Sequence, residues 1–151
     1  MAASATVRDT IGAKVADVTG VSRVYGNGEV STDVDGWPDA VLITTGPVAV
    51  IKRGPTERTG ALGDLGIYRR DFGVDFYVSG LDRAAAERWI DGLDDAMVTE
   101  FSSGLTLDGL VQSCLFMGSE EPESSADNDR PLIRWTCHIE TRERLPRNTT
   151  P

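Results

Sequence analysis

The sequence is poor in the residues that do chemistry. It has one histidine, His138, and two cysteines, Cys114 and Cys137, in 151 residues. Two cysteines are too few for a disulfide scaffold, and no metal-ligand spacing surrounds them. Both sit in apolar, strand-like text, where buried free thiols are expected; a bridge between neighbouring strands stays open. No apolar run approaches the ~20 residues that span a bilayer. The first ten residues lack an apolar stretch flanked by basic residues, so no secretory leader is read and folding in a cytoplasm is expected. Positive charge is also scarce, with 15 basic residues against 24 acidic and a net charge of -9. That argues against a wrapping grip on DNA or RNA, which needs basic patches to displace counterions. It suits a surface that nucleic acid passes without sticking, or it serves solubility alone.

What remains is an ordinary globular composition, 40% hydrophobic and 26% charged, of a length that fits one domain. Val7, Ile11, Val15 and Val18 make one stripe of a helix over Ser4 to Val18. A short strand is expected between Gly20 and Gly26, then a turn at Asn27-Gly28. Ala40 to Thr45 and Val48 to Arg53 are strand candidates, with Gly46-Pro47 able to join them as a hairpin. Gly54 to Gly66 holds four glycines and a proline. It reads either as a long functional loop or as a twisted hairpin tip.

Ile67 to Ser79 alternates most clearly. Tyr68, Phe72, Val74, Phe76 and Val78 share one parity; Arg69, Asp71, Gly73 and Asp75 share the other, which is expected to be wet. Arg70 falls on the apolar parity and marks where the strand leaves the core. A second helix, Arg83 to Phe101, has Asp82 as its N-cap candidate. Its stripe is Trp89, Leu93, Met97 and Phe101, flanked by Ile90 and Val98, with Glu87, Asp91, Asp94 and Asp95 opposite. A turn at Leu105 to Gly109 leads to a strand, Leu110 to Met117. Gly118 to Asp129, polar and acidic, reads as a solvated, flexible hairpin loop. Ile133, Trp135, Cys137 and Ile139 alternate with Arg134, Thr136, His138 and Glu140 in the last strand, and a disordered tail is expected at 146–151. The expected fold is α+β: a mostly antiparallel sheet with two amphipathic helices packed on one face, as a single domain over 1–145.

No motif supplies catalysis. His138 can be imagined with Ser113 or Cys114, but neither has a nucleophile motif around it. The glycines of Gly60 to Gly66 lack the Lys-Ser or Lys-Thr of a phosphate loop and precede a strand rather than a helix. Asp91, Asp94 and Asp95 form a solvated helical face, and Asp33 with Asp35 lacks the ligand spacing of a calcium loop. No cofactor and no metal are expected.

The order of elements and several phrases resemble phage tail terminator (tail-completion) proteins of the lambda gpU type. The phrases are Gly20-Val21-Ser22-Arg23-Val24-Tyr25-Gly26 after the first helix, Trp37-Pro38-Asp39-Ala40-Val41 before an apolar strand, Arg70 to Val78 before the second helix, and Leu105 to Val111 after it. An acidic loop and a Trp135-centred strand complete the likeness, which runs from about Val7 to Arg142. The resemblance implies a virion structural protein and not an enzyme. It implies a homo-oligomeric ring, expected as a hexamer, that caps the tail tube at its head-proximal end and stops tube growth. Its partners would be the major tail tube protein and a head-side neck or stopper protein, with DNA passing through the lumen without specific binding and no membrane involved. Asp71, Asp75, Glu120 and Glu121 are the lumen or interface candidates. The alternatives are another neck, connector or tube-like subunit, or a small ligand-binding or enzymatic α+β domain.

Overall fold

The computed structural model describes residues 4–18, 21, 23–25, 47–62, 65–79, 83–102, 106–107, 109, 111–125 and 132–146. The expected turn at Asn27-Gly28, the strand at Ala40 to Thr45, Gly46 of the Gly46-Pro47 hairpin, the Asp82 cap and residues 147–151 of the expected tail lie outside those residues, while Pro146, expected in that tail, ends the last strand. The α+β expectation holds. Helix α1 (Ser4–Ala16) leads to β1 (Arg23–Tyr25), β2 (Val48–Leu62) and β3 (Leu65–Ser79). Helix α2 (Arg83–Glu100) is followed by β4 (Ser113–Ser119), β5 (Glu123–Ser125) and β6 (Leu132–Pro146). The sheet runs β1-β2-β3-β6-β4, with β5 also on β6; only the β1–β2 pairing is parallel.

The helical stripes do what their spacing dictates. Val7, Ile11, Val15 and Val18 are all buried, as are Leu93, Met97 and Phe101 of the second stripe and the flanking Ile90, while Trp89 is only partly buried against the core. Val98 is an exception at 50% exposure. One residue past Met97 it is turned about 100° off the stripe, which carries it off the sheet. Against the helices the sheet presents Ala49, Ile51, Phe72, Val74, Phe76, Val78, Trp135, Cys137 and Ile139. Trp135 packs on Phe76 with ring centroids 5.7 Å apart. Leu107 is fully buried in the left-handed region (φ 51°), a conformation that costs about 1–2 kcal/mol outside glycine. Its insertion into the core and the hydrogen bonds from Gly109 N and Val111 N to Thr106 O, each 3.1 Å, hold it there.

The Gly54–Gly66 stretch is not a loop. It is the outer part of a β2–β3 hairpin whose last pair, Leu62 with Leu65, leaves only Gly63 and Asp64 between the strands. Of the two readings the hairpin tip is the one that holds, and two irregularities account for its loop-like glycines and proline. Between Arg53 and Thr56 the register slips, so Gly54 and Pro55 face Asp71; between Arg58 and Gly60 it slips again. Bulges tolerate glycine and proline that a regular ladder would not. Gly54 is required there, because a Cβ would lie 2.7 Å from the backbone oxygen of Asp71.

The hairpin outruns the core. Among the described residues, the apolar core includes none of β2 after Ile51, β3 before Phe72 or β6 after Ile139. Beyond those points the three strands form an arm, in which Leu65 to Arg70 pairs with Pro146 to Thr141. Arg70 does stand at this boundary, though it is itself buried. Glu143, opposite Tyr68, is 6% exposed, and neither carboxylate oxygen meets a hydrogen-bond donor. A buried carboxylate without partners opposes folding. Glu143→Met is therefore expected to stabilise the isolated chain by about 1–3 kcal/mol. Chemical denaturation read by circular dichroism checks this; a loss of stability would mean that the carboxylate is satisfied in solution.

The wet-face expectation needs a correction. On the face turned away from the helices, Asp75 is only 2% exposed, and Val48 and Tyr77 are buried beside it. That end of the sheet is buried on both faces, so a period-2 pattern could not distinguish its two sides.

Candidate interaction cleft

The outer face of the sheet carries a cleft of about 580 Å³. Its floor follows from a glycine. Gly73 in β3 lies between Lys52 of β2 and His138 of β6. Where its neighbours in this row carry long side chains, Gly73 leaves a trough. A Cβ on Gly73 would meet nothing closer than 3.8 Å, so the space is open. Met117 bulges out of β4 just before Gly118 and stands 55% exposed on the rim.

Charged residues of both signs line the trough. At one end Asp75 accepts hydrogen bonds from Thr136 Oγ1 (2.7 Å) and the Tyr77 hydroxyl (3.2 Å) and pairs with Lys52. Burial, and then the Asp75 carboxylate, push the Tyr77 phenol well above its ordinary range, so it stays protonated and donates. Desolvation pulls the Arg134 guanidinium down, but its bonds to Glu123 and Tyr77 outweigh this and hold it above its usual value. Arg134 thereby ties β5 to the sheet through Glu123. At the other end Arg69 reaches Glu57 (2.6 Å) and Asp71 (3.5 Å), and Glu140 accepts from Arg142 Nε (2.7 Å). On the far wall His138 Nε2 is 3.3 Å from Glu120 Oε2.

All four residues picked from the sequence, Asp71, Asp75, Glu120 and Glu121, line this one cleft. They differ in kind. Asp75 is sequestered within the chain, while Glu120 and Glu121 are exposed and Asp71 half-buried. Sequence reasoning missed Lys52, Arg69, Arg134 and Thr136. Only cross-strand register reveals that Lys52 and Thr136 meet Asp75 and that Arg134 meets Glu123, and register is not written in one strand.

The Gly118–Asp129 stretch is more ordered than expected through Ser125; residues 126–129 lie outside the described residues. Strand β4 runs to Ser119, Glu120 N donates to Thr136 O (2.9 Å), and Glu123 to Ser125 pair with β6. The edge of β6 captures a segment whose composition alone reads as solvated.

The imagined nucleophile–base pairs do not form. Cys114 faces the core while His138 faces the cleft, and Ser113 lies opposite Arg142, four residues along β6 from His138. The cysteines are not bridged. Cys114 is opposite Thr141 and Cys137 opposite Ser119, an offset of about 13 Å along the strands, beyond disulfide reach. Burial pushes the Cys114 thiol up to about 12, which makes it a poor nucleophile near neutrality. Asp91 and Asp95 project from the exposed side of α2. Among the described residues no group of three His, Cys, Asp or Glu side chains converges as metal ligands, and no helix is long and apolar enough to cross a membrane. Asp33 and Asp35 lie outside the described residues.

The cleft is thus a charged trough between an acidic β4–β5 wall and the base of a three-stranded arm. No protein-family model and no curated protein matches the chain.

Proposed function

We propose that this protein is a phage tail terminator subunit, which forms a ring near a hexamer at the head-proximal end of the tail tube. The ring ends tube growth and offers the surface that the head-side neck protein joins. One observation supports this reading above the rest: the sheet runs on past its own core as an arm. An arm that adds little to the chain's own apolar core is costly to order. It gains a physical reason when another surface covers it. Closed rings are built from heterologous contacts, in which two different patches of one subunit meet on its neighbours. The arm and the outer-face cleft are two such patches. The acidic excess agrees with a lumen that repels phosphates and lets DNA pass.

Native mass spectrometry and negative-stain microscopy, on the protein alone and with tail tubes, test this. The expected result is a discrete oligomer near six copies, seen as a ring on tube ends. A protein that stays monomeric and never associates with tubes would overturn it.

A further inference from the structure

The two excursions of this chain carry opposite charge. From Lys52 to Arg70 there are five cations and two carboxylates, a net of +3 within a chain of net -9. From Gly118 to Asp129 there are five carboxylates and no cation. The structure puts the first on the β2–β3 hairpin and begins the second at the cleft wall. They stand on opposite sides of the trough floored by Gly73. On the hairpin, Arg58 is exposed beyond the first bulge; on the wall, Glu121 is exposed and lines the cleft.

We infer that the cleft receives the β2–β3 hairpin of a second copy of this chain, with Arg58 of one protomer set against the Glu120–Glu121 wall of its partner. This rests on the ring reading and adds to it the contact that closes the ring. Three observations carry it. The charges are complementary, and complementary patches steer and orient association. From Thr56 to Leu62 the hairpin extends for about 20 Å, long enough to reach across a neighbouring sheet. Among the described residues, β2 beyond Val50 pairs only with β3. Pro55, the two bulges and the charged side chains disfavour indiscriminate strand pairing along this stretch. Recognition then falls to side-chain charge, which distinguishes one partner from many. The trough is open where Gly73 lacks a side chain, which leaves room for a side chain from outside.

Charge reversal tests this directly. Arg58→Glu and Glu121→Lys, each alone, are expected to weaken self-association at least about tenfold, and the double variant to recover most of the loss. Both positions are exposed, so thermal unfolding of the monomer should not move. As a second measurement, Arg58→Cys combined with Glu121→Cys should give a ladder of covalent oligomers on mild oxidation; the native thiols are buried and free. Unchanged rings in both single variants, or a double variant no better than either single, would overturn the docking while leaving the ring itself standing. Intact rings that no longer bind tubes would assign the cleft to the tube protein, and would also overturn it. A wild-type chain that is monomeric even with tubes would remove the ring reading and this contact together.

Discussion

Asp75→Ala is expected to cost about 3 kcal/mol of stability, the larger part of it through bonds that no surface residue replaces. The carboxylate holds together three strands: Lys52 on β2, Tyr77 on β3 itself and Thr136 on β6. Removal leaves the buried Tyr77 hydroxyl with Arg134 but without its acceptor, and deprives Thr136 of a short bond. Lys52 loses less, because its side chain is 45% exposed and can turn to water. Asp75→Asn keeps an oxygen for Thr136 or Tyr77 and forfeits mainly the solvent-screened ion pair, so it should cost only about 1 kcal/mol. In a domain of this length the difference is several degrees in Tm, at about 2–4 °C per kcal/mol. Equal melting temperatures for the two variants would show that Asp75 contributes by charge alone. Among the four carboxylates picked from the sequence, Asp75 is the one whose loss should unfold the protein; Asp71, Glu120 and Glu121 should be replaceable without that penalty.

Phe76→Ala should be more damaging still, at about 3–5 kcal/mol. Phe76 is fully buried at the centre of the sheet, paired across the strands with Trp135 and Ala49 and stacked at a tilt on the indole. Truncation removes the transfer energy of the ring and the aromatic contact together, and the β-sheet backbone cannot collapse into the space. Phe76→Leu should recover roughly half of the loss, because it refills most of the volume without the ring geometry. Urea midpoints for the two variants check this. A midpoint for Phe76→Ala within experimental scatter of the wild type would mean that the helix layer does not pack on this face.

The layered architecture was legible because both helices carry a strict stripe and both long strands alternate. Val7 to Val18, Ile90 to Phe101, Phe72 to Val78 and Ile133 to Ile139 report their environments one residue at a time, since each faces a single large apolar layer. The hairpin was legible only as one of two readings, because bulges at Gly54-Pro55 and Thr59 break the period that announces a strand. Glycine and proline there signal irregular pairing, and in a lone sequence that signal is shared with loops. Asp75 misled for a different reason. Its alternation is right, but its side of the sheet is buried near Tyr77, and a carboxylate remains in such a place only with partners. Those partners come from strands 23 and 61 residues away in the chain. The acidic β4–β5 wall was recognised as acidic and mistaken for wholly flexible, because the ladder from β6 that orders it through Ser125 depends on register. The cleft was therefore half visible: its carboxylates stood out, while the cations opposite them and the glycine floor did not.

The central claim is that this chain acts by assembling at the end of a tail tube. Tube length in particles assembled without it is the most direct measure. If the protein terminates tubes, its loss should give tubes of abnormal, variable length with no heads attached, and supplying the protein should restore the normal length. Tubes of normal length left unjoined from heads would contradict termination and move the chain to the neck; particles complete and infectious without it would contradict the account altogether.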